Sequence, residues 1–466
     1  MNFAEVRFWE ILLGSLGAIL LARGMWVDAL RKDSELFDKV SLATLGLLLL
    51  LAVSWVTFTI YCSVMLTTWV GLKWILRFEG QPRRRYMLVL IPLQLAPLLY
   101  YKYADFVCNR VCGLGFDTLR DLIIPVGISF YSFQKVAFVV DTLGFRQPLP
   151  RFLDYLNFAS FFPQIVAGPI ERRADLLPQM ESFRLRWSAR NINEGATWIA
   201  VGLFFKCCLA DNLARFVDRG PSANAYLVWA ANVLFGLRIY YDFAGYSLVA
   251  VGLARCLVVR LTLNFLSPYC STSITEFWRR WHITLSQWFR DYLYIPLGGG
   301  RSRYWMATVL LVFVVSGVWH GAGWNFILWG ALHGLFLIVH RLGKGLKFPR
   351  GLAWAITAVA AMGAWLPFYE TQGTVLASKV GTLFTPSAYG PAALQALRHH
   401  WAPGDLIVML CFLALAGATL AAEWRSVAAH QDPYSKFRRP AVTVALVILT
   451  VLLAPGESNA FIYFAF

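Results

Sequence analysis

The sequence predicts an all-α polytopic membrane protein: about twelve transmembrane helices, with re-entrant segments, around a central tunnel. Three observations carry the prediction. Of the 466 residues, 58% are hydrophobic and only 15% charged, and the mean hydropathy is +0.56, more apolar surface than a soluble domain of this length carries. Apolar stretches recur near 10–22, 40–54, 56–76, 87–101, 122–140, 193–209, 226–254, 304–319, 323–340, 351–368, 404–424 and 441–455, several of them short enough to need local thinning of the bilayer. The basic residues, which give a formal charge of +16, are scattered between those stretches and not gathered on a soluble face. That pattern argues against a nucleic-acid partner and for the positive-inside distribution of a membrane protein. An aromatic content of 16%, with 19 Trp, fits interfacial belts and an aromatic-lined interior.

Taken in order, Glu10 to Leu21 is apolar, follows acidic residues and lacks a positively charged amino end, so it reads as a first membrane helix and not as a cleavable signal peptide. Arg31-Lys32, Arg77 with Arg83 to Arg85, Arg146 to Arg190, Arg255 with Arg260 and the run to Arg303, Arg341 to Arg350, and Arg425 to Arg439 all fall inside if the crossings alternate and both termini lie outside. In FLDYLNFASFFPQIVAGPIERR, Phe152 to Arg173, Pro163 and the pair Gly168-Pro169 break an apolar run, which predicts a half-helix returning to the cytoplasmic side. Asp242, inside the apolar span from Tyr240 to Gly252, needs a partner or a water-filled cavity. The longest outer loop, about Glu370 to Pro403, is short and partly apolar. No segment is long enough to fold as a soluble domain, so residues 1–466 read as a single integral membrane domain. The eight cysteines show no C-x-x-C pair and no repeated spacing with histidine, so neither a metal site nor a disulfide framework is expected.

The chemistry concentrates between Ser273 and Gly334, which reads SITEFWRRWHITLSQWFRDYLYIPLGGGRSRYW, a short apolar span, then SGVWHGAGWNFILWGALHG. His320 ends an apolar run and is followed by Gly321, Ala322 and Gly323, small residues that let another group approach. A neutral imidazole there can accept a proton from a hydroxyl; the alternative is a histidine that only bonds across helices. His282 lies in Glu276 to Arg290, which reads as an amphipathic helix at headgroup level, with Arg279, His282 or Ile283, Ser286 and Arg290 on one side and Trp278, Trp281 and Trp288 spread around it. The run Pro296 to Gly300 stops that helix and predicts a re-entrant turn. Arg279, Arg280 and Arg290 could attract the phosphates of a donor, against a role in topology alone. Trp319 and Asn325, which flank His320, complete the candidate substrate-binding set.

These residues carry a resemblance. FWRRWHITLSQWFRDYLYIPLGGGR followed by GVWHGAGWNFILWGALHG is similar to the paired signature of the membrane-bound O-acyltransferase (MBOAT) family, in its bacterial alginate and peptidoglycan O-acetyltransferase branch. YYKYADF from Tyr100, PVGISFYSFQKVAFVVD from Pro125, FFPQIVAGPIERR, NFLSPY from Asn264 and the aromatic end Phe461 to Phe466 resemble further family elements. Leu248 stands where the family pattern carries a second aspartate. The resemblance implies that His320 is the functional histidine and His282 the second characteristic one. It implies acetyl-CoA as acyl donor with no bound cofactor, and an exported polysaccharide or peptidoglycan as final acceptor. It also implies a separate periplasmic or membrane-anchored transferase as partner, and a place in the bacterial inner membrane. No Ser or Cys sits in a nucleophile elbow, so direct transfer or a histidine-assisted relay is expected over a Ser- or Cys-linked acyl-enzyme. The competing readings are D-alanyl transfer from a carrier-protein thioester and a transporter or flippase without acyl chemistry.

Overall fold

Each of the twelve apolar stretches carries a helix in the computed structural model, and there is no β-strand among the described residues. The structure describes residues 3–28, 34–78, 83–120, 122–165, 168–186, 188–217, 220–456 and 459–462. Arg31 and Lys32, and Tyr463 to Phe466 of the aromatic end, lie outside them. By length and apolarity together, seven helices among the described residues can cross a membrane, and the segments Trp305–His320 and Pro440–Leu453 are shorter apolar helices. The difference from twelve arises at helices that carry charge or end early, since 16 residues of α-helix rise only about 24 Å.

The chain forms two units, Met1–Ile199 with Val249–Thr262, and Ala200–Leu248 with Leu263–Phe466. In the first, α1 (Val6–Arg23), α2 (Ser34–Val53), α3 (Trp55–Ile75), α4 (Arg83–Leu98) and α5 (Ile128–Leu143) precede the short α6 (Phe152–Ser160), α7 (Phe162–Ile165) and α8 (Arg173–Glu181), and α9 (Ala189–Leu203) leads out of it. Pro92 and Pro97 lie inside α4, which continues through π-helical turns at Leu99–Tyr103 and Phe106–Val111. A proline removes a backbone donor and displaces the turn before it, which accounts for the irregular continuation. The predicted break at Pro163 is present: α6 stops at Phe161, and Pro163 sits in the first turn of α7, where a missing N–H is tolerated. Lys39 of α2 ties these pieces together, with Nζ 2.6 Å from Asp154 of α6, 2.9 Å from Glu35 and 2.7 Å from the carbonyl of Glu181.

The second unit contains α10 (Asp211–Ala214), most of the long α11 (Ala225–Cys256), α12 (Ile274–Arg280), α13 (Ile283–Phe289), α14 (Trp305–His320), α15 (Trp324–Leu342), α16 (Arg350–Tyr369), α17 (Gly373–Leu383), α18 (Pro391–Arg398), α19 (Pro403–Ala428) and α20 (Pro440–Leu453). Helices α14 and α15 form a tight antiparallel pair because glycine faces backbone on both sides. A Cβ on Gly317 would stand 2.1 Å from the carbonyl oxygen of Phe326, and one on Gly330 would stand 2.2 Å from that of Phe313. Only residues without a side chain allow this approach. The stretch Glu370 to Pro403, expected as a loop, is folded: Lys379 pairs with Glu370 at 3.1 Å, and Thr382 donates to the carbonyl of Ser222 at 2.9 Å.

Asp242 has the partner that its setting demanded. Lys206 Nζ lies 2.7 Å from its Oδ1 and 2.9 Å from Asp211 Oδ1, and the Ile462 N–H donates to Asp242 Oδ2 at 2.7 Å. Lys206 also donates to the carbonyl of Asn459 at 2.9 Å, so the carboxyl-terminal segment closes the charge cluster. A buried cluster of this kind needs such bonds to offset the cost of taking its charges out of water.

Candidate functional site

The amphipathic helix expected from Glu276 to Arg290 is broken in the middle. Helix α12 ends at Arg280, His282 takes the left-handed conformation at φ +42°, and α13 starts at Ile283. The segment around Asn264 forces the break. Ile283 N–H donates to the carbonyl of Asn264 at 2.9 Å, Thr284 Oγ1 donates to Asn264 Oδ1 at 2.6 Å, and Leu266 N–H donates to the carbonyl of Arg280 at 3.0 Å. A left-handed histidine costs on the order of 1–3 kcal/mol and persists only where its surroundings over-determine it. The break also corrects the expected interfacial position of His282. Its side chain is turned inward, 1% exposed, with ring centroids 4.6 Å from Phe243 and 6.0 Å from Trp319.

His320 is the last residue of α14, and Gly321 leaves the helix in extended conformation. Its ring is 3% exposed and stands edge-on to Trp319 at 4.9 Å, Trp329 at 4.9 Å and Phe368 at 5.3 Å. Trp319 therefore touches both imidazoles, and the structure brings His282, Trp319 and His320 into one aromatic cluster. Asn325 supports the cluster from behind: its Nδ2 donates to the carbonyl of Pro367 at 3.0 Å and fixes the end of α16 that presents Phe368.

Beside the cluster lies a cavity of about 570 Å³ between α12, α13, α14 and α15. Its lining is divided by chemistry. Arg279, Arg290, His340, Arg341 and Lys344 supply cationic or imidazole groups, whereas Ile283, Leu285, Val312 and Phe313 supply an apolar wall, and no acidic side chain lines it among the described residues. Arg341 stacks on Trp305 at 4.1 Å and donates to the carbonyl of Gly300 at 2.8 Å, which anchors the glycine turn after α13. The cavity reaches Ser316, one turn before His320 on α14, and Ile283, the neighbour of His282.

The three candidate arginines part company here. Arg279 lines the cavity and has no hydrogen-bond or ion-pair partner among the described residues. Arg290 lines it while paired with Asp291 at 2.7 Å. Arg280 does not line it: Glu276 at 2.8 Å and the carbonyl of Leu266 at 3.0 Å engage its guanidinium. Neither Trp319 nor Asn325 is among the lining residues.

His333 joins the cluster and was not singled out from the sequence. It is fully buried on α15, with ring centroids 4.9 Å from both Trp278 and Trp329, and neither ring nitrogen has a hydrogen-bond partner among the described residues. An imidazole inside a 19-residue apolar helix was the available signal. Lys206, between apolar residues in FFKCC, was the corresponding signal for the partner of Asp242.

The comparisons with known proteins point the same way. The model of the membrane-bound O-acyltransferase family matches residues 37–365. The chain is 36% identical over 360 residues to the peptidoglycan O-acetyltransferase of Helicobacter pylori, covering 68% of each protein. It is 34% identical over 371 residues to the probable alginate O-acetylase AlgI of Pseudomonas putida, covering 76% of this chain and 74% of that one. The teichoic acid D-alanyltransferase of Streptococcus thermophilus is more distant, 27% identical over 249 residues that cover 47% of this chain and 58% of its own.

Proposed function

Since the chain belongs to the membrane-bound O-acyltransferase family, we propose that it moves an acetyl group from acetyl-CoA to an exported polysaccharide or peptidoglycan, with His320 as general base. The observation that carries this reading is the lining of the basic cavity: cationic at Arg279, Arg290, Arg341 and Lys344, apolar at Ile283, Leu285, Val312 and Phe313, with Ser316, one turn before His320, and Ile283, next to His282, on its wall although neither histidine lines it. Phosphates of a coenzyme A suit the cationic end, with Arg offering planar, multiply bonding contacts. A thioester arm suits the apolar end. Trp305 and Ser316, both on the cavity wall, are eleven residues apart on α14, or about 16 Å along the helix.

In the reaction, an acceptor hydroxyl gives its proton to His320 as its oxygen attacks the thioester carbonyl carbon. The carbon–sulfur bond breaks, and the departing CoA thiolate takes that proton from His320. General-base assistance of this kind contributes roughly 10²–10⁴-fold. His282, in contact with Trp319, orients the cluster and lines the path. The acceptor is an exported polymer and the donor cytoplasmic, so the site is reached from both faces of the bacterial inner membrane. Twelve crossings with both termini outside put the cationic end of the cavity in the cytoplasm, and re-entrant segments thin the protein around the site. A periplasmic or membrane-anchored transferase carries the acetyl group to the polymer, because the folded stretch after Glu370 is too small to cradle one.

The test is release of free CoA by purified protein together with acetylation of an acceptor or partner. His320→Ala should remove at least about 100-fold of that turnover. Wild-type protein that moves substrate without ever forming an acetyl product would sink the reading in favour of a transporter, and consumption of a carrier-protein thioester instead of acetyl-CoA would move it to D-alanyl transfer.

A further inference from the structure

Tyr434 lies between α19 and α20, in the basic stretch that the sequence assigns to a cytoplasmic loop, and is nonetheless fully buried. Its course inward is set locally. The Tyr434 N–H donates to Asp432 Oδ1 at 2.9 Å, the Phe437 N–H donates to the Tyr434 carbonyl at 3.1 Å, and Arg438 pairs with Asp432. An aspartate that accepts from the backbone two residues on closes a tight turn, and this one aims the phenol into the second unit. There the Tyr434 hydroxyl donates to the carbonyl of Phe265 at 3.1 Å. Tyr240 of α11 supports it, with its hydroxyl 3.4 Å away and bonded at 2.8 Å to Glu423 of α19, a carboxyl that is fully buried with no ion pair among the described residues.

The carbonyl that Tyr434 holds is a particular one. Phe265 stands between Asn264 and Leu266, whose bonds to Ile283, Thr284 and Arg280 break the helix at His282. Its ring stacks on the His282 imidazole with centroids 6.4 Å apart and planes 26° apart, and meets the edge of Trp281 at 5.1 Å. Two residues further, Ser267 is left-handed at φ +53°, a conformation unfavourable for any residue with a side chain. The stretch from Asn264 to Ser267 therefore carries one strained residue and imposes another at His282, and such strain persists only where the surroundings hold it. Arg280 holds the Leu266 carbonyl from within the junction, at 3.0 Å. Tyr434 holds the Phe265 carbonyl from a separate element.

We propose that Tyr434 is a positioning residue of the acyl-transfer site: its hydroxyl fixes the Phe265 carbonyl, and with it the Phe265 ring against His282 and the left-handed turn on which His282 stands. The effect on turnover rests on the O-acetyltransferase reading; the hold on the turn does not. Tyr241 supplies the contrast. It is equally buried, neighbours Tyr240 on the same helix and donates its hydroxyl to the carbonyl of Ala416 at 2.9 Å, which has no part in the junction.

The experiment compares wild type, Tyr434→Phe and Tyr241→Phe as purified full chains in detergent, by CoA release from acetyl-CoA and by hydrogen exchange across residues 264–284. Each variant loses one buried hydroxyl and nothing else. Tyr434→Phe should lower kcat about tenfold and leave KM for acetyl-CoA within about twofold of wild type, because a displaced group costs rate and not donor binding. Exchange of the Leu266 and Ile283 amides, which donate across the junction, should become about fivefold faster, with α14 and α15 unchanged. Tyr241→Phe should lower the melting midpoint by a similar amount with kcat and that exchange as in wild type. An equal fall of kcat in both variants, an unchanged kcat in Tyr434→Phe, a rise in KM alone, or unchanged exchange at the junction overturns the proposal. If Tyr434→Phe does not fold, Asp432→Ala releases the Tyr434 N–H and should lower kcat about two- to threefold, while Asp432→Asn, which keeps the acceptor, should restore it; wild-type kcat in Asp432→Ala refutes the role. A wild type that releases no CoA, with exchange at the junction still faster in Tyr434→Phe, would leave the hold of Tyr434 on the turn standing and remove the O-acetyltransferase reading.

Discussion

At the scale of single residues, the two histidines and three arginines separate into distinct settings. His320 is packed among the edges of Trp319, Trp329 and Phe368, so His320→Ala should lose acetyl transfer and, by leaving a cavity there, lower thermal stability while insertion stays close to wild type. His282→Ala should be milder in turnover but costlier in folding, because its backbone holds a strained junction. The comparison is a KM-against-kcat measurement alongside a melting curve; equal, total loss in both variants would assign the two imidazoles a joint chemical role. Arg279→Glu and Arg290→Glu should raise KM for acetyl-CoA several-fold with folded protein near wild-type level, since both line the cavity. Arg280→Glu should instead lower the amount of folded protein, because it would face Glu276 and lose the carbonyl of Leu266. A shared KM effect across all three would contradict the division. Asp242→Asn should keep the Ile462 contact and much activity. Asp242→Leu leaves Lys206 with Asp211 alone and should lower the yield of folded protein, read by detergent-solubilised, monodisperse fraction.

At the scale of elements, the α14–α15 pair is what presents His320 to Trp329 and Phe368. Gly317→Ala puts a methyl group into the Phe326 backbone and must separate the helices, an overpacking cost of about 1–3 kcal/mol. It should cut turnover by more than tenfold through displacement of His320 alone, whereas Gly14→Ala, which meets nothing within 4 Å, should change neither activity nor stability. Parallel activity in the two variants would show that the pair tolerates separation. These helices were legible in the sequence because hydrophobic length and small-residue spacing are local properties. The break at His282 was not: Arg279, Ser286 and Arg290 do fit one helical face, and the bonds that override it come from Asn264 and Leu266, outside that window. The same holds for Arg280, whose cavity role fails because Leu266 competes for it, and for His333, whose significance lies in the rings of Trp278 and Trp329. The position of His320 at the end of α14, by contrast, was readable from its own neighbours, Trp319 before it and Gly321 after.

At the scale of the whole molecule, the open quantity is the number of crossings, and one cysteine decides it. If only the seven long apolar helices cross, with the amino end outside, the third crossing ends in the cytoplasm and Cys112 stays there. If α4 also crosses, Cys112 lies outside. The second outcome is expected: α4 with its π-helical continuation runs from Arg83 to Val111, roughly 40 Å of helical rise, which exceeds a hydrocarbon core of about 30 Å. The prolines that interrupt it, Pro92 and Pro97, make it irregular without making it short. Cys112 is an exposed free thiol, so a membrane-impermeant maleimide applied to intact spheroplasts should label it. A cysteine introduced by Lys344→Cys, between α15 and α16, lies inside with seven crossings and with twelve and should react only after permeabilisation, which makes it the internal control. Labelling is read by mass shift of the solubilised chain, with Cys112→Ser as the blank. Protection of Cys112 in spheroplasts and its reaction after permeabilisation would show that α4 does not cross and would overturn the count of twelve crossings from which the cytoplasmic mouth of the basic cavity is derived.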